Sequence, residues 1–174
     1  MRMFKATLCA AGLVLLLSAA WAKDKPKPIT VNLQDGKGQA VGTAELSNDP
    51  HGVKIKLNVK NLAAGEHGIH VHQVAKCEGP DFKSAGPHFN PDSKKHGLQN
   101  PDGPHAGDIP NFTVDPKGNF KGNVVAPNVT LADGPHSVFT GGGTALVIHA
   151  KGDDNKTDPS GNSGDRVACG VISK

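Results

Sequence analysis

The sequence predicts an all-β fold, a sandwich or barrel of short antiparallel strands. Three observations lead there. Several segments alternate apolar and polar residues with a period of two. No stretch beyond the N-terminal segment carries a helical stripe, and clusters of Gly, Pro, Asn and Asp separate the alternating segments. A strand with one face on a core and one on solvent shows this period, because successive side chains point to opposite faces.

The chain opens on "MRMFKATLCAAGLVLLLSAAWA", with Arg2 and Lys5 ahead of an apolar run to Leu17 and small residues ending Ala20-Trp21-Ala22. That is the build of a secretory signal peptide over residues 1–22, cleaved after Ala22. An uncleaved anchor needs about 20 apolar residues, more than this run offers, so no stable membrane anchor is expected. Cys9 precedes the leucine run and lacks a lipoprotein box. The protein is therefore expected to be exported, to the periplasm or the extracellular space. "KDKPKP", 23–28, reads as a flexible leader, and 29–174 as one domain.

Within that domain "PITVNLQ" sets Ile29, Val31 and Leu33 against Thr30, Asn32 and Gln34. "GVKIKLNVK" does so more clearly, with Val53, Ile55, Leu57 and Val59 opposing Lys54, Lys56, Asn58 and Lys60. "AVGTAEL", "GIHVH", "GNFKGNVV", "GTALVIHA" and "RVACGVI" are further strand candidates. Two stretches break the rhythm: Gln73 to about Pro110, and Lys151 to Asp165. Irregular loops of this length in a compact domain are functional or disordered, and the first carries three histidines.

Removing Arg2 and Lys5 from the 19 basic residues leaves 17 against 16 acidic, a formal charge of +1. With no concentrated basic block, nucleic acid is not the expected partner. The only tryptophan and both methionines fall in the signal segment and there is no tyrosine, so the core must rest on aliphatic residues and a few phenylalanines. Without Cys9, Cys77 and Cys169 are an even pair in an exported protein, for which a disulfide is the default and two free or metal-bound thiols the alternative. Closing a loop of about 90 residues is worth at most roughly 4–5 kcal/mol on the chain-entropy account.

"GEHGIHVHQ" places His70 and His72 two residues apart. On a strand they share a face, with Ile69 and Val71 turned the other way. Two imidazoles side by side suggest metal ligands, and a solvated strand face is the alternative. The long loop adds His88, His96, His105 and Asp108, and His149 ends "ALVIHA" on the face opposite Leu146 and Ile148. All three strand histidines would then lie on the barrel exterior, under the loop. These seven ligands fall one short of two four-coordinate sites. Either an imidazole serving both metals or a water at an open position makes up the difference, and spacing leaves both open.

"HGIHVH", "GPHFNP", "KKHG", "HAGDIPN", "VIHAKGDD" and "GNSGDRVACGVI" resemble, in order and spacing, the motifs of secreted, bacterial-type copper/zinc superoxide dismutase. The resemblance covers nearly all of the chain after the signal segment and implies a Greek-key, immunoglobulin-like antiparallel barrel or sandwich with two long functional loops. It implies copper on His70, His72, His88 and His149, and zinc on His88, His96, His105 and Asp108, one of each metal per subunit. His88 is then the shared imidazolate. It implies that Asp153 orients His70 and His96 from outside the ligand shell, that Arg166 receives the anion, and that Cys77 pairs with Cys169. The activity implied is dismutation of superoxide, a small anionic substrate, to oxygen and hydrogen peroxide by copper redox cycling.

Arg166 and His88 are thus the expected catalytic residues, with Lys83, Lys94, Lys95 and Lys151 as weaker candidates for steering. His67 matches a structural histidine, and His51 and His136 are expected to be exposed. A non-catalytic exported copper/zinc-binding protein of the same fold is the alternative function. A zinc hydrolase is disfavoured by the lack of H-E-x-x-H. Cys77 follows His72 closely and the chain stops at "GVISK", so the eukaryotic dimer residues are not expected here. A monomer or a dimer of another type is.

Overall fold

In the computed structural model, residues 28–174 are described, and the proposed signal segment lies outside them. Eight strands run in chain order as β1 (Ile29–Gln34), β2 (Ala40–Asp49), β3 (Gly52–Val59), β4 (Gly65–His72), β5 (Asp108–Val114), β6 (Phe120–Ala126), β7 (Thr144–His149) and β8 (Arg166–Ile172). They pair antiparallel in the order β5-β4-β7-β8-β1-β2-β3-β6. β5 also lies against β6, so the sheet nearly closes on itself. The crossings from β3 to β4 and from β6 to β7 make it an all-β Greek-key barrel, and among the described residues no α-helix occurs.

The alternation in the sequence is the alternation of burial. Val53, Ile55, Leu57 and Val59 of β3 point inward with Val31, Leu33, Leu46, Ile69, Ile109, Leu146, Ile148 and Ile172. Each buried aliphatic side chain of this kind stabilises the fold by about 1.5–3 kcal/mol before entropy is counted. β7 departs from the pattern, being buried on both faces. Its outward Ala145 and Val147 join Phe82, Ala85 and Cys169 in a second apolar cluster outside the barrel. The covering loop is bound there by the Cys77–Cys169 disulfide, which spans 92 residues.

One strand does not show in the alternation. β5 begins inside the segment that looks irregular, because Pro110 interrupts its period. The structure sets Pro110 beside a register irregularity between His67 and Ile69 of β4, where its missing N–H breaks no regular ladder. At the β1–β8 seam only Gln34 and Cys169 are paired. Gly170 crosses β1 so closely that a Cβ would stand 2.5 Å from Cγ1 of Val31, which only glycine avoids.

Candidate metal centre

The outer faces of β4 and β7 carry the histidines. His70 lies opposite Val147 and His72 opposite Ala145, so the two imidazoles stand beside the outward residues of β7. His149 continues that face at the end of β7, displaced by an irregularity between Ile148 and His149. His88 arrives from the long loop through an isolated antiparallel bridge to His72.

Two groups of ligand atoms form there, in each of which all atoms lie within 4.8 Å of one another: His70, His72, His88 and His149, and His88, His96, His105 and Asp108. All seven residues are buried. In the first group one nitrogen of three rings is already engaged: His70 Nε2 at Asp153 Oδ2 (2.8 Å), His72 Nδ1 at the Gly86 carbonyl (2.8 Å) and His149 Nδ1 at the Gly164 carbonyl (3.2 Å). The opposite nitrogens, His70 Nδ1, His72 Nε2 and His149 Nε2, together with His88 Nε2, are buried without any partner. A buried polar atom without a partner is costly, so four of them converging call for a cation.

The second group is tighter. Asp108 Oδ1 stands 3.0 Å from His88 Nδ1, 3.0 Å from His96 Nδ1 and 3.4 Å from His105 Nδ1, and the Nδ1 atoms of His88 and His105 are 3.3 Å apart. Ligands at about 2.0–2.1 Å from a tetrahedral zinc stand about 3.3–3.4 Å from one another, so these spacings suit that ion. The free oxygen of Asp108 accepts hydrogen bonds from the main-chain N–H groups of Gly97 (2.8 Å) and His105 (2.9 Å). That fixes the carboxylate's rotation.

Asp153 joins the groups, with Oδ2 on His70 Nε2 and Oδ1 on His96 Nε2 at 3.0 Å. Burial, the largest effect on each, pushes His72 well below the usual imidazole range and His88 and His149 down to about 3. All three are therefore neutral and able to donate lone pairs. For His96 burial acts the same way, but Asp108 and Asp153 outweigh it and raise the group to about 9. Asp108 is held well below the carboxylate range by bonds from His105, His88 and His96, against the cost of its burial.

Arg166 donates from Nη1 to the Phe82 carbonyl (2.7 Å) and from Nη2 to the Gly86 carbonyl (2.8 Å). Gly86 O thus receives both His72 and Arg166, which sets the guanidinium beside the first group. Arg166 lines an open cleft of about 500 Å³ with Pro80, Asp81, Lys83, Gly164 and Asp165. Of the four candidate lysines, Lys83 is on that rim, paired with Asp81 at 2.9 Å, and Lys95 is tied to Asp158 at 2.9 Å. Lys94 and Lys151 do not line the cleft.

His67 turns both ring nitrogens toward carbonyls, Nδ1 2.6 Å from His149 O and Nε2 2.9 Å from Ala63 O, and belongs to neither ligand group. His51 is exposed. His136 departs from the exposed reading: it is half-buried, with Nδ1 on the Asn128 carbonyl and Nε2 on Asp92. Two further residues steady the centre. Asp158 accepts the main-chain N–H of His96 at 2.6 Å, and Asn111 brackets the main chain of Asp153. Nothing local in the sequence marks either, since their partners lie in another loop.

A Greek-key barrel with two adjoining histidine-rich groups on its outer face is a β-barrel metalloprotein built for a pair of ions. The sequence profile of the family described as copper/zinc superoxide dismutase (SODC) matches residues 40–172. The chain is 51% identical over 165 residues to "Superoxide dismutase [Cu-Zn] 2" of Aquifex aeolicus, covering 93% of this chain and 95% of that protein. It is 37% identical to "Superoxide dismutase [Cu-Zn]" of Deinococcus radiodurans over 98% of each. Among solved structures, the Cu/Zn superoxide dismutase of Brucella abortus superposes with a TM-score of 0.69 at 32% identity, over 84% of this chain and all of that one. A SOD-like protein of Bacillus subtilis gives a TM-score of 0.79 at 38% identity, over 82% and 97%. The chain belongs to the copper/zinc superoxide dismutase family. It is an oxidoreductase that acts on superoxide with copper and zinc as cofactors.

Proposed function

We propose that His70, His72, His88 and His149 hold the copper, that His88, His96, His105 and Asp108 hold the zinc, and that His88 is shared between them. The observation that carries this assignment is the set of four buried, unpartnered ring nitrogens converging in the first group. Two superoxide anions and two protons give dioxygen and hydrogen peroxide. Bound copper supplies the one-electron couple this requires, and zinc a fixed, redox-inert charge.

The chain's own residues do the rest. Asp153 fixes the tautomers of His70 and His96 by accepting from their outer nitrogens, leaving Nδ1 of each for a metal. His88 presents Nε2 to the first group and Nδ1 to the second, and Nε2 is the atom at which it carries a proton to the reduced product. Arg166 draws the anion into the cleft and docks it, its charge secure although burial lowers its pKa. The full ligand set and this guanidinium favour catalysis over mere metal carriage.

We read 1–22 as a signal peptide, 23–28 as a leader and 29–174 as the catalytic domain of an exported protein, periplasmic or extracellular and without a stable membrane anchor. The Cys77–Cys169 disulfide supports an oxidising compartment. The working unit is a monomer or a dimer of non-eukaryotic type. Native mass spectrometry of metal-loaded variants tests the assignment. His149→Ala should lose copper and keep zinc, Asp108→Ala should lose zinc first, and His88→Ala should weaken both. Full retention of both metals by His88→Ala would remove the shared ligand.

A further inference from the structure

We infer that Phe82 is a positioning residue for superoxide docking, acting through Arg166, an inference that rests on the role proposed above for that arginine. The loop from Cys77 to Gly86, "CEGPDFKSAG", lies outside the barrel, and Phe82 is its only large apolar residue. Its ring is completely buried in the external cluster, against the outward side of β7 (Ala145, Val147), Cys169 and the loop's own Ala85 and Cys77. The backbone there is left-handed, φ 54° and ψ 24°, a conformation rare for a bulky side chain without a functional or structural demand.

The demand is visible in what the carbonyl does. Phe82 O accepts Nη1 of Arg166 at 2.7 Å and the N–H of Ala85 at 3.0 Å, while Phe82 N–H donates to Glu78 O at 3.1 Å. The ring pins the residue, the residue aims its carbonyl, and the carbonyl holds half of the guanidinium fork. The other half rests on Gly86 O, shared with His72. Without the ring the disulfide still closes the loop at Cys77, but four residues then separate that staple from the acceptor of Nη1 with no apolar anchor between. Arg166 keeps its charge and loses its orientation. Phe82 belongs to neither ligand group, and its carbonyl reaches the centre through Arg166.

A double-mutant cycle separates this from a general packing defect. The copper- and zinc-loaded protein is compared with Phe82→Ala, Phe82→Leu, Arg166→Ala and the Phe82→Ala/Arg166→Ala double variant. The readouts are metal content, azide affinity from the Cu(II) charge-transfer band, and the ionic-strength dependence of the dismutation rate. Phe82→Ala should keep both metals and weaken azide at least about five-fold, Phe82→Leu should stay within about two-fold, and Phe82→Ala should have no further effect once Arg166 is alanine. An equal loss in both backgrounds overturns the inference, as does a loss in Arg166→Ala with none in Phe82→Ala. If Arg166→Ala itself leaves azide affinity unchanged, the reading of the arginine fails and takes the inference with it. Should Phe82→Ala not load copper, Phe82→Val, which trims the ring and strains the left-handed backbone, runs the same cycle.

Discussion

Asn111 and Asp153 hold each other through two hydrogen bonds: Asn111 Nδ2 donates to the Asp153 carbonyl at 2.8 Å, and Asp153 N–H donates to Asn111 Oδ1 at 3.0 Å. Asn111 belongs to β5, so a barrel strand sets the height of the carboxylate that orients His70 and His96. Asn111→Ala should therefore lower zinc affinity about ten-fold while the barrel stays folded, as removal of outer partners of metal ligands does. Chelator competition measures it. Unchanged zinc retention would show that Asp153 is positioned without Asn111.

Zinc uptake should be proton-coupled. In the metal-free protein both nitrogens of His96 face carboxylates, which raise it to about 9, so the ring is an imidazolium at pH 7. Zinc must displace that proton, and about one proton should be released per zinc. Calorimetry in buffers of differing ionisation heat counts it. Release near zero at pH 7 would contradict the doubly bonded ring.

The metal-free protein should be most stable near pH 6.5. His88 and His149 titrate at about 3 when folded and near 6.5 when unfolded, so between those values the unfolded chain holds more protons. Their contribution is complete above about 6.5 and is lost as pH falls toward 3. His96 has the opposite sign, its contribution present below about 6.5 and lost as pH rises to about 9. Urea denaturation at pH 5, 6.5 and 8.5 should trace a maximum, and a steady rise across the range would exclude it.

The two long loops meet at Gly97. Its φ is +111°, and a Cβ there would stand 2.2 Å from the Asn155 carbonyl, the acceptor of Gln99 N–H at 3.0 Å. Gly97→Ala should destabilise the metal-free protein by more than about 1 kcal/mol and displace Asp108, which Gly97 N–H holds. Thermal unfolding and zinc content should fall together. A drop in stability with zinc binding intact would separate the loop contact from the metal.

At Arg166 charge and shape can be told apart. Arg166→Ala should leave copper and zinc content unchanged and lower the rate by roughly ten-fold or more, with weaker dependence on ionic strength. Arg166→Lys should lose less, because the charge stays while the planar fork goes. Arg166→Glu should be slowest. Wild-type rates in all three, with full copper, would make the residue structural.

Much of this was legible in the chain because period two writes a strand's faces directly into residue order. Ile69 and Val71 against His70 and His72, or Leu146 and Ile148 against His149, need no structure to sort. β5 was not legible because Pro110 removes the alternation at the point where the ladder is irregular. The supports of the centre were not legible for a different reason. Gly86 acts through a carbonyl that every residue possesses, and Asp158 and Asn111 act on partners far away in sequence. His136 reads as exposed because Asp92, its partner, sits in another loop. The seven ligands could be counted, but only the fold places the ring of His88 in both groups.

Burial on both faces of β7 bears on how this protein can change. Leu146 and Ile148 fill the barrel while Val147 and His149 face the external cluster and the metal centre, all within one six-residue strand. Many enzymes place catalytic groups on mobile loops and give up activity when they are stiffened. Here three of the four unpartnered nitrogens of the first group come from strands that are also the barrel's wall. Rigidity and reactivity share an element, so thermostabilising substitutions in the core need not slow the enzyme. Engineering for heat resistance can start from the barrel interior.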